Sequence, residues 1–262
     1  MVSILGIPLE DNSSFLKGSV KAPPLIMDAF HSDASNMFAE NGINCGDGSL
    51  VTDLGNMRLP TGKAAMDSIQ KAVCKELDHN HKVVSLGGDH SITFPIIQAY
   101  SQSYSDLNIL HFDAHPDLYD NFENNPYSHA SPFVRIMEKG LVKRLVQVGI
   151  RTLNDHQKAQ VKRFGVEVIE MKDFDSSLSL TFDGPVYISI DLDGLDPAFA
   201  PGVSHHEPGG LSTRKIINIF HQLNGKVVGG DIVEYNPDRD INGVTAVVAA
   251  KLLKELLGKM LS

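Results

Sequence analysis

Seven short apolar runs punctuate the 262-residue chain, with longer stretches of helical spacing between them. The runs are SILGIP (3–8), KVVSL (82–86), LNILHF (107–112), RLVQVGI (144–150), VEVIEM (166–171), VYISIDL (186–192) and KVVGGDIVE (226–234). Several are apolar at successive rather than alternate positions, the pattern of strands buried on both faces. Helical patterns occupy 61–79, 91–102, 131–139, 154–164, 212–223 and 241–261. In the last, Val244, Val247, Val248, Leu252 and Leu256 recur near helical spacing, which turns Lys251, Lys254 and Glu255 outward. Strand and helix in alternation predict an α/β fold, a mainly parallel central sheet covered on both sides. No repeat, low-complexity segment or composition break divides the chain, so 1–262 reads as one domain.

The polar clusters share one place in this pattern. GGDHS follows KVVSL, DAHPD follows LNILHF, DLDGLDP completes VYISIDL, and EYNP follows the last run. Ligands of open α/β sheets bind beyond the carboxyl ends of strands, so four segments are expected to converge on one crevice. Side chains two apart in extended chain point the same way, which aims Asp113, His115 and Asp117 at one centre. Asp191 and Asp193 repeat that spacing, Asp89-His90 adds a further imidazole, and Gly87-Gly88 permits close backbone approach. A solitary Asp-Gly-Leu-Asp is usually a turn, and a solitary Gly-Gly-Asp-His carries no information. It is the recurrence after strands that gives these segments weight. Four carboxylates buried together without partners cost several kcal/mol each, so the cluster calls for cations. Two divalent ions balance them. Oxygen-rich ligation with one imidazole per metal suits Mn²⁺ better than Zn²⁺.

The formal net charge of -9 opposes sequence-independent nucleic-acid binding, which needs a basic face. Only Cys45 and Cys74 are present, which excludes a disulfide framework and a Cys-x-x-Cys site. The opening MVSILGIPLEDNSS lacks a basic flank and meets Glu10 and Asp11 quickly, and no run approaches membrane-spanning length. These features together predict a cytoplasmic protein.

As a set, GGDHSI (87–92), DAHPD (113–117), SIDLDGLDPAFAPG (189–202) and EYNP (234–237) resemble the ureohydrolases, the arginase, agmatinase and formimidoylglutamase superfamily. Within it the chain is most similar to plant-type arginases, through GIPLEDNSSFLKG (6–18), YSHASPFVRIME (127–138), VGIR (148–151), GVSHHEPGGLS (202–212) and VTAVVAAKLLKEL (244–256). The resemblance implies a three-layer α/β/α fold, two Mn²⁺ per chain, and homotrimers or homohexamers. It implies that His90 and Asp117 bind one manganese, that His115 and Asp193 bind the other, and that Asp113 and Asp191 bridge them. Asp196 is expected in a turn, His111 in packing or behind the ligands, and His205 and His206 at the pocket rim or in loop hydrogen bonds. His31, His79, His81, His156 and His221 are expected in solvent.

The chemistry so implied is hydrolysis of a guanidino group to urea and an amine, with two metals lowering the pKa of a bridging water. Glu234 would hold the guanidinium in a bidentate pair. Asp117 would pass a proton to the leaving amine, and His129 would exchange protons with solvent, unless it merely caps the helix near Ser131. Tyr119, Asn121, Ser128 and Asn154, in the loops 118–128 and 151–156, are candidates for the rest of the substrate, alongside Glu234 and His129. The expected reaction is arginase-type hydrolysis of an arginine guanidino group to urea and ornithine, on free L-arginine or arginine within a peptide, with agmatine the alternative substrate and another guanidino or formimidoyl compound behind it. A non-catalytic sensor requires a broken ligand set, and none is broken. A zinc deacylase of the related deacetylase fold would lack the Glu234 match.

Overall fold

The computed structural model describes residues 1–175 and 177–262. Its strands are β1 (Val2–Ile7), β2 (Val51–Asn56), β3 (Lys82–Gly87), β4 (Asn108–Phe112), β5 (Arg144–Ile150), β6 (Glu167–Glu170), β7 (Thr181–Asp191) and β8 (Asn224–Val233). They form one parallel sheet in the order β2-β1-β3-β8-β7-β4-β5-β6. The helices are α1 (Ala22–Phe30), α2 (Lys63–Asp78), α3 (Thr93–Ser103), α4 (Pro132–Glu138), α5 (Asp155–Phe164), α6 (Thr213–Gln222) and α7 (Val244–Leu261).

Alternating strand residues feed two cores. Val84, Leu110, Phe112, Ile188 and Ile190 pack with Ile26, Phe30, Phe220 and Leu253 of α1, α6 and α7. Val83, Ile109 and Tyr187 pack on the other face with Ile69, Ile97 and Phe133 of α2, α3 and α4. Each such side chain contributes about 1.5–3 kcal/mol by leaving water, which is what drives the three layers together. The expected fold class is therefore the one observed. Among the described residues no helix is long and apolar enough to cross a membrane.

Two elements carry no strong sequence signal. β2 lies at the sheet edge with most of its residues exposed, so VTDLGN lacks an apolar run. α1 begins with Pro23-Pro24 in its first turn, where a missing N–H costs nothing. One expectation fails. Lys254 and Glu255 of α7 are buried, because residues 35–40 fold over them, whereas Val244 and Val247 are exposed.

Candidate active site

Strands β3, β8, β7 and β4 are consecutive in the sheet, and the polar segments all leave their carboxyl ends. The chain passes from β3 to β4 and later returns to fill the gap with β7 and β8, which makes the crevice a topological switch point. His90 Nδ1 there lies 3.3 Å from Asp113 Oδ2, 3.1 Å from Asp117 Oδ2 and 3.0 Å from Asp191 Oδ2. His115 Nδ1 lies 3.4 Å from Asp113 Oδ1 and 3.1 Å from Asp193 Oδ2. The six side chains form two overlapping groups, His90-Asp113-Asp117-Asp191 and Asp113-His115-Asp193. Within each group the prospective ligand atoms lie within 4.8 Å of one another, and Asp113 belongs to both.

Neighbouring hydrogen bonds fix the orientation of these groups. Ser189 Oγ donates to Asp231 Oδ1 at 2.6 Å and therefore accepts from His90 Nε2–H at 3.0 Å. Thr93 and Tyr187 hydroxyls donate to Asp231 Oδ2, both at 2.8 Å, so this buried carboxylate is held from three sides. A proton of His90 is thereby fixed on Nε2, which leaves Nδ1 turned toward three carboxylates. Among the described residues that buried nitrogen has no hydrogen-bond partner. His111, expected in packing or behind the ligands, donates from Nε2 to Asp113 Oδ2 at 2.8 Å and accepts from Gln147 Nε2 at 3.0 Å.

Nδ1 can face three anions only with a proton on it or a cation between them. The titration behaviour carries the same message. Burial pushes the Asp191 and Asp193 carboxyls up, with neighbouring aspartates adding to the effect. Burial disfavours charge on His90 and His115, yet the surrounding carboxylates hold both rings well above the ordinary imidazole range. A cluster that collects protons in this way carries excess negative charge, and its oxygen-rich donor set fits a pair of hard divalent ions.

Asp117 and Glu234 have left-handed backbone, φ 50° and 63°, uncommon outside glycine and typical of sites held by their surroundings. Glu234 Oε1 accepts from His90 N at 2.9 Å and from His129 Nδ1–H at 2.8 Å. Its Oε2 makes no hydrogen bond to the described residues. His129 Nε2 in turn accepts from Ser14 N at 3.2 Å and contacts Ser14 Oγ at 2.8 Å. Although burial opposes charge on His129, Glu234 and Asp89 move its pKa up to about 9. A protonated ring has to part from the Ser14 N–H. These groups border a cavity of about 230 Å³ lined also by His115, Asp117, Asp191 and Asp193.

Residues 1–258 match the family model described as the arginase family. The chain belongs to the arginase family. It is 47% identical to the mitochondrial arginase of Medicago truncatula, over 98% of this chain and 81% of the relative. It is 46% identical to the mitochondrial arginase 1 of Arabidopsis thaliana, over 98% and 80%. The solved structure of arginase from Medicago truncatula superposes with a TM-score of 0.95 at 48% identity, covering 99% of this chain and 87% of that one. The agmatine ureohydrolase of Thermoplasma volcanium is more distant, with a TM-score of 0.86 at 29% identity and coverage of 99% and 89%. The cytoplasmic expectation is overturned, since relatives this similar are organellar.

For this arginase-family chain the outer substrate candidates divide. Tyr119 lines the cavity, whereas Asn121, Ser128 and Asn154 are not among its lining residues. Asn121 is exposed, and the buried Ser128 Oγ accepts from Ala130 N at 3.3 Å. Asn154 caps α5 by accepting from Gln157 N at 2.9 Å, and its Nδ2 donates to the Tyr119 hydroxyl at 2.6 Å. His129 does not cap α4, whose N-cap is Ser131. His205 lines the cavity, while His206 points to Pro201 O at 2.7 Å. Asp196 is a turn residue, accepting from Ala198, Gly209 and Gly210 N–H groups. Of the five remaining histidines, His81 is partly buried against Glu76 and the others are exposed. Sequence reasoning passed over Ser14, Phe122, Thr152, Gln157 and Glu207, all in the lining. Ser14 and Glu207 sit inside segments that carried the resemblance, but nothing in their local pattern marks them.

Proposed function

We propose that the chain hydrolyses the guanidino group of L-arginine to urea and ornithine, using two Mn²⁺ bound at the ends of β3, β4 and β7. The observation that carries this reading is the unpartnered His90 Nδ1 within 3.0–3.3 Å of three carboxylates, beside a Glu234 with one free oxygen. In the proposed assignment His90 and Asp117 would hold one metal, His115 and Asp193 would hold the other, and Asp113 and Asp191 would contribute to both sites. When bound, the metal pair supplies Lewis acidity, lowering the pKa of a water nucleophile and screening charge in the transition state.

The chain's own residues supply position and proton transfer. Glu234 is fixed through Oε1, which leaves Oε2 to bind the guanidinium by a charge-assisted hydrogen bond. Asp117, strained and in the lining, accepts the proton of the attacking water and returns it to the leaving nitrogen. His129 and Ser14 form a path from that point to solvent. The balance is one guanidinium and one water giving urea and an alkylammonium. The Tyr119 hydroxyl, which accepts from Asn154, keeps its own proton to donate to a substrate carboxylate.

Residues 1–262 act as one unit in this reading, and copies assemble as trimers or hexamers. The exposed Ile241, Val244 and Val247 beside one another on and before α7 support association. Light scattering on the purified protein tests it, and a monomer at micromolar concentration rejects it. For the activity, urea release with Mn²⁺ is compared across L-arginine, agmatine, 4-guanidinobutanoate and doubly capped arginine. L-arginine is expected to give the highest kcat/KM. A clear preference for agmatine over arginine and capped arginine defeats the arginase assignment within the family.

A further inference from the structure

Glu207 is the one carboxylate in the cavity lining that the chemistry above leaves without work. The lining holds five carboxylates (Asp117, Asp191, Asp193, Glu207 and Glu234) and three imidazoles, and among the described residues no lysine or arginine. Glu234 is deep, its side chain 4% exposed, whereas Glu207 stands at the mouth with 40% of its side chain exposed. Its carboxylate makes no hydrogen bond to the described residues, and its one ion-pair distance is 3.8 Å, to His115 Nε2.

The loop that presents Glu207 is rigid. Arg151 binds the Glu207 carbonyl from Nε at 2.9 Å and Nη2 at 2.5 Å. The same guanidinium binds Asp193 O at 2.7 Å, so the loop is clamped to the metal-ligand segment. Asp196 holds Gly209 N at 2.6 Å, and a Cβ at Gly210 would meet Asp196 N at 2.6 Å. With its N–H groups spent on carbonyls, Arg151 is not available to neutralise the Glu207 carboxylate or to receive an anion from the substrate.

We propose that Glu207 is a specificity-determining residue that binds the distal ammonium group of the substrate while Glu234 holds the guanidinium. The inference rests on the guanidino-hydrolase reading and narrows it to guanidino compounds with a free primary amine at the far end. A lining that offers a carboxylate for cations and, among the described residues, no lysine or arginine for anions disfavours acylated arginine and guanidino acids lacking an amine.

Agmatine and 1-pentylguanidine separate this role from the alternatives, because they differ only in an ammonium for a methyl group. Glu207→Gln is an exposed, isosteric change that leaves no broken hydrogen bond. In Mn²⁺-loaded protein the variant is expected to raise KM for L-arginine and the inhibition constant of agmatine roughly five- to tenfold. The inhibition constant of 1-pentylguanidine stays where it is. The proposal is overturned if all three constants move together, which with reduced manganese content makes Glu207 a prop for His115, or if none moves. Calorimetric titration of agmatine and 1-pentylguanidine into both proteins gives the same comparison without turnover. A wild-type chain that releases no urea from arginine therefore defeats the functional reading and leaves this one decidable.

Discussion

Two groups of clustered acids lie at different places in this molecule, and they are treated in opposite ways. Beside α7, Glu40 is held by Arg214 at 2.7 and 2.8 Å and by Lys251 at 3.2 Å. Glu255, 1% exposed in its side chain, is held by Lys251 at 2.5 Å, His221 at 3.3 Å and the Glu40 N–H at 3.0 Å. Every acid there has a cation from the chain itself. At the strand ends, Asp113, Asp117, Asp191 and Asp193 crowd three imidazoles and, among the described residues, meet no lysine or arginine side chain in the cavity lining. The first group is complete when the chain folds. The second is left short of positive charge, and what completes it must come from outside.

Removing metal is the strongest way to break this contrast. Ligands that bind only the native state stabilise it by mass action, about 4 kcal/mol for one site at a thousandfold excess over Kd. Chelation is expected to abolish urea release and to lower Tm on the order of 10 °C for a chain of this size. Acid acts in the same direction, because protons compete for the ligands. A Tm that stays put after verified metal loss means that the strand-end acids are satisfied in some other way, and the contrast collapses.

Glu234→Gln comes next. It removes the charge that orients the guanidinium and leaves the six ligand side chains alone, so activity is expected to fall roughly 10²–10³-fold. Metal content measured on the same sample should match wild type. Near-normal urea release by this variant ends the anchoring role, whereas loss of metal would make Glu234 part of the ligand-orienting shell.

Asp231→Asn tests the support behind His90. Its carboxylate accepts from Ser189, Thr93 and Tyr187, and the Ser189 hydroxyl fixes the ring proton of His90. An amide in its place offers one acceptor fewer, so manganese affinity is expected to drop about 10- to 100-fold with kcat largely recovered at saturating metal. Equilibrium dialysis against Mn²⁺ reads this directly. An unchanged affinity would show that His90 keeps its tautomer without the relay.

How much of this was legible in the sequence follows from where the information lies. Five of the six cluster residues were visible because they stand at two-residue spacing at the ends of apolar runs, where local geometry decides which way side chains point, and His90 because GGDHS follows such a run. Asp231 and Ser189 were not, because they lie inside β8 and β7, and only the sheet register sets them opposite one another. Ser14 is brought to His129 across 115 positions of sequence, a contact no local pattern announces. Asn154 looked like a pocket residue and is a helix cap that holds Tyr119. Lys254 and Glu255 looked exposed on a helix face, yet the 35–40 segment supplies their partners. Pattern thus located the cluster and left its supports to tertiary structure.

The smallest effect belongs to the self-sufficient group, which acid weakens as it weakens the metal-dependent one, but which does not depend on metal. The Arg214 guanidinium beside Glu40, with Lys251, brings its carboxyl down to about 2 from an ordinary 4.5. A depressed folded-state pKa means that the pair's contribution is fully present above about pH 4.5 and is lost as pH falls from there toward 2. Arg214 is 59% exposed in its side chain, so solvent screening keeps the contribution small. Arg214→Gln should therefore lower unfolding free energy slightly at pH 7 and by progressively less toward pH 2. Chelator should leave the difference between the two proteins unchanged, because no metal enters this group. Urea denaturation of both proteins at several pH values, with and without chelator, measures it. If chelation widened the gap, the two acid groups would be coupled through α7 and β8, and treating them as independent would be wrong.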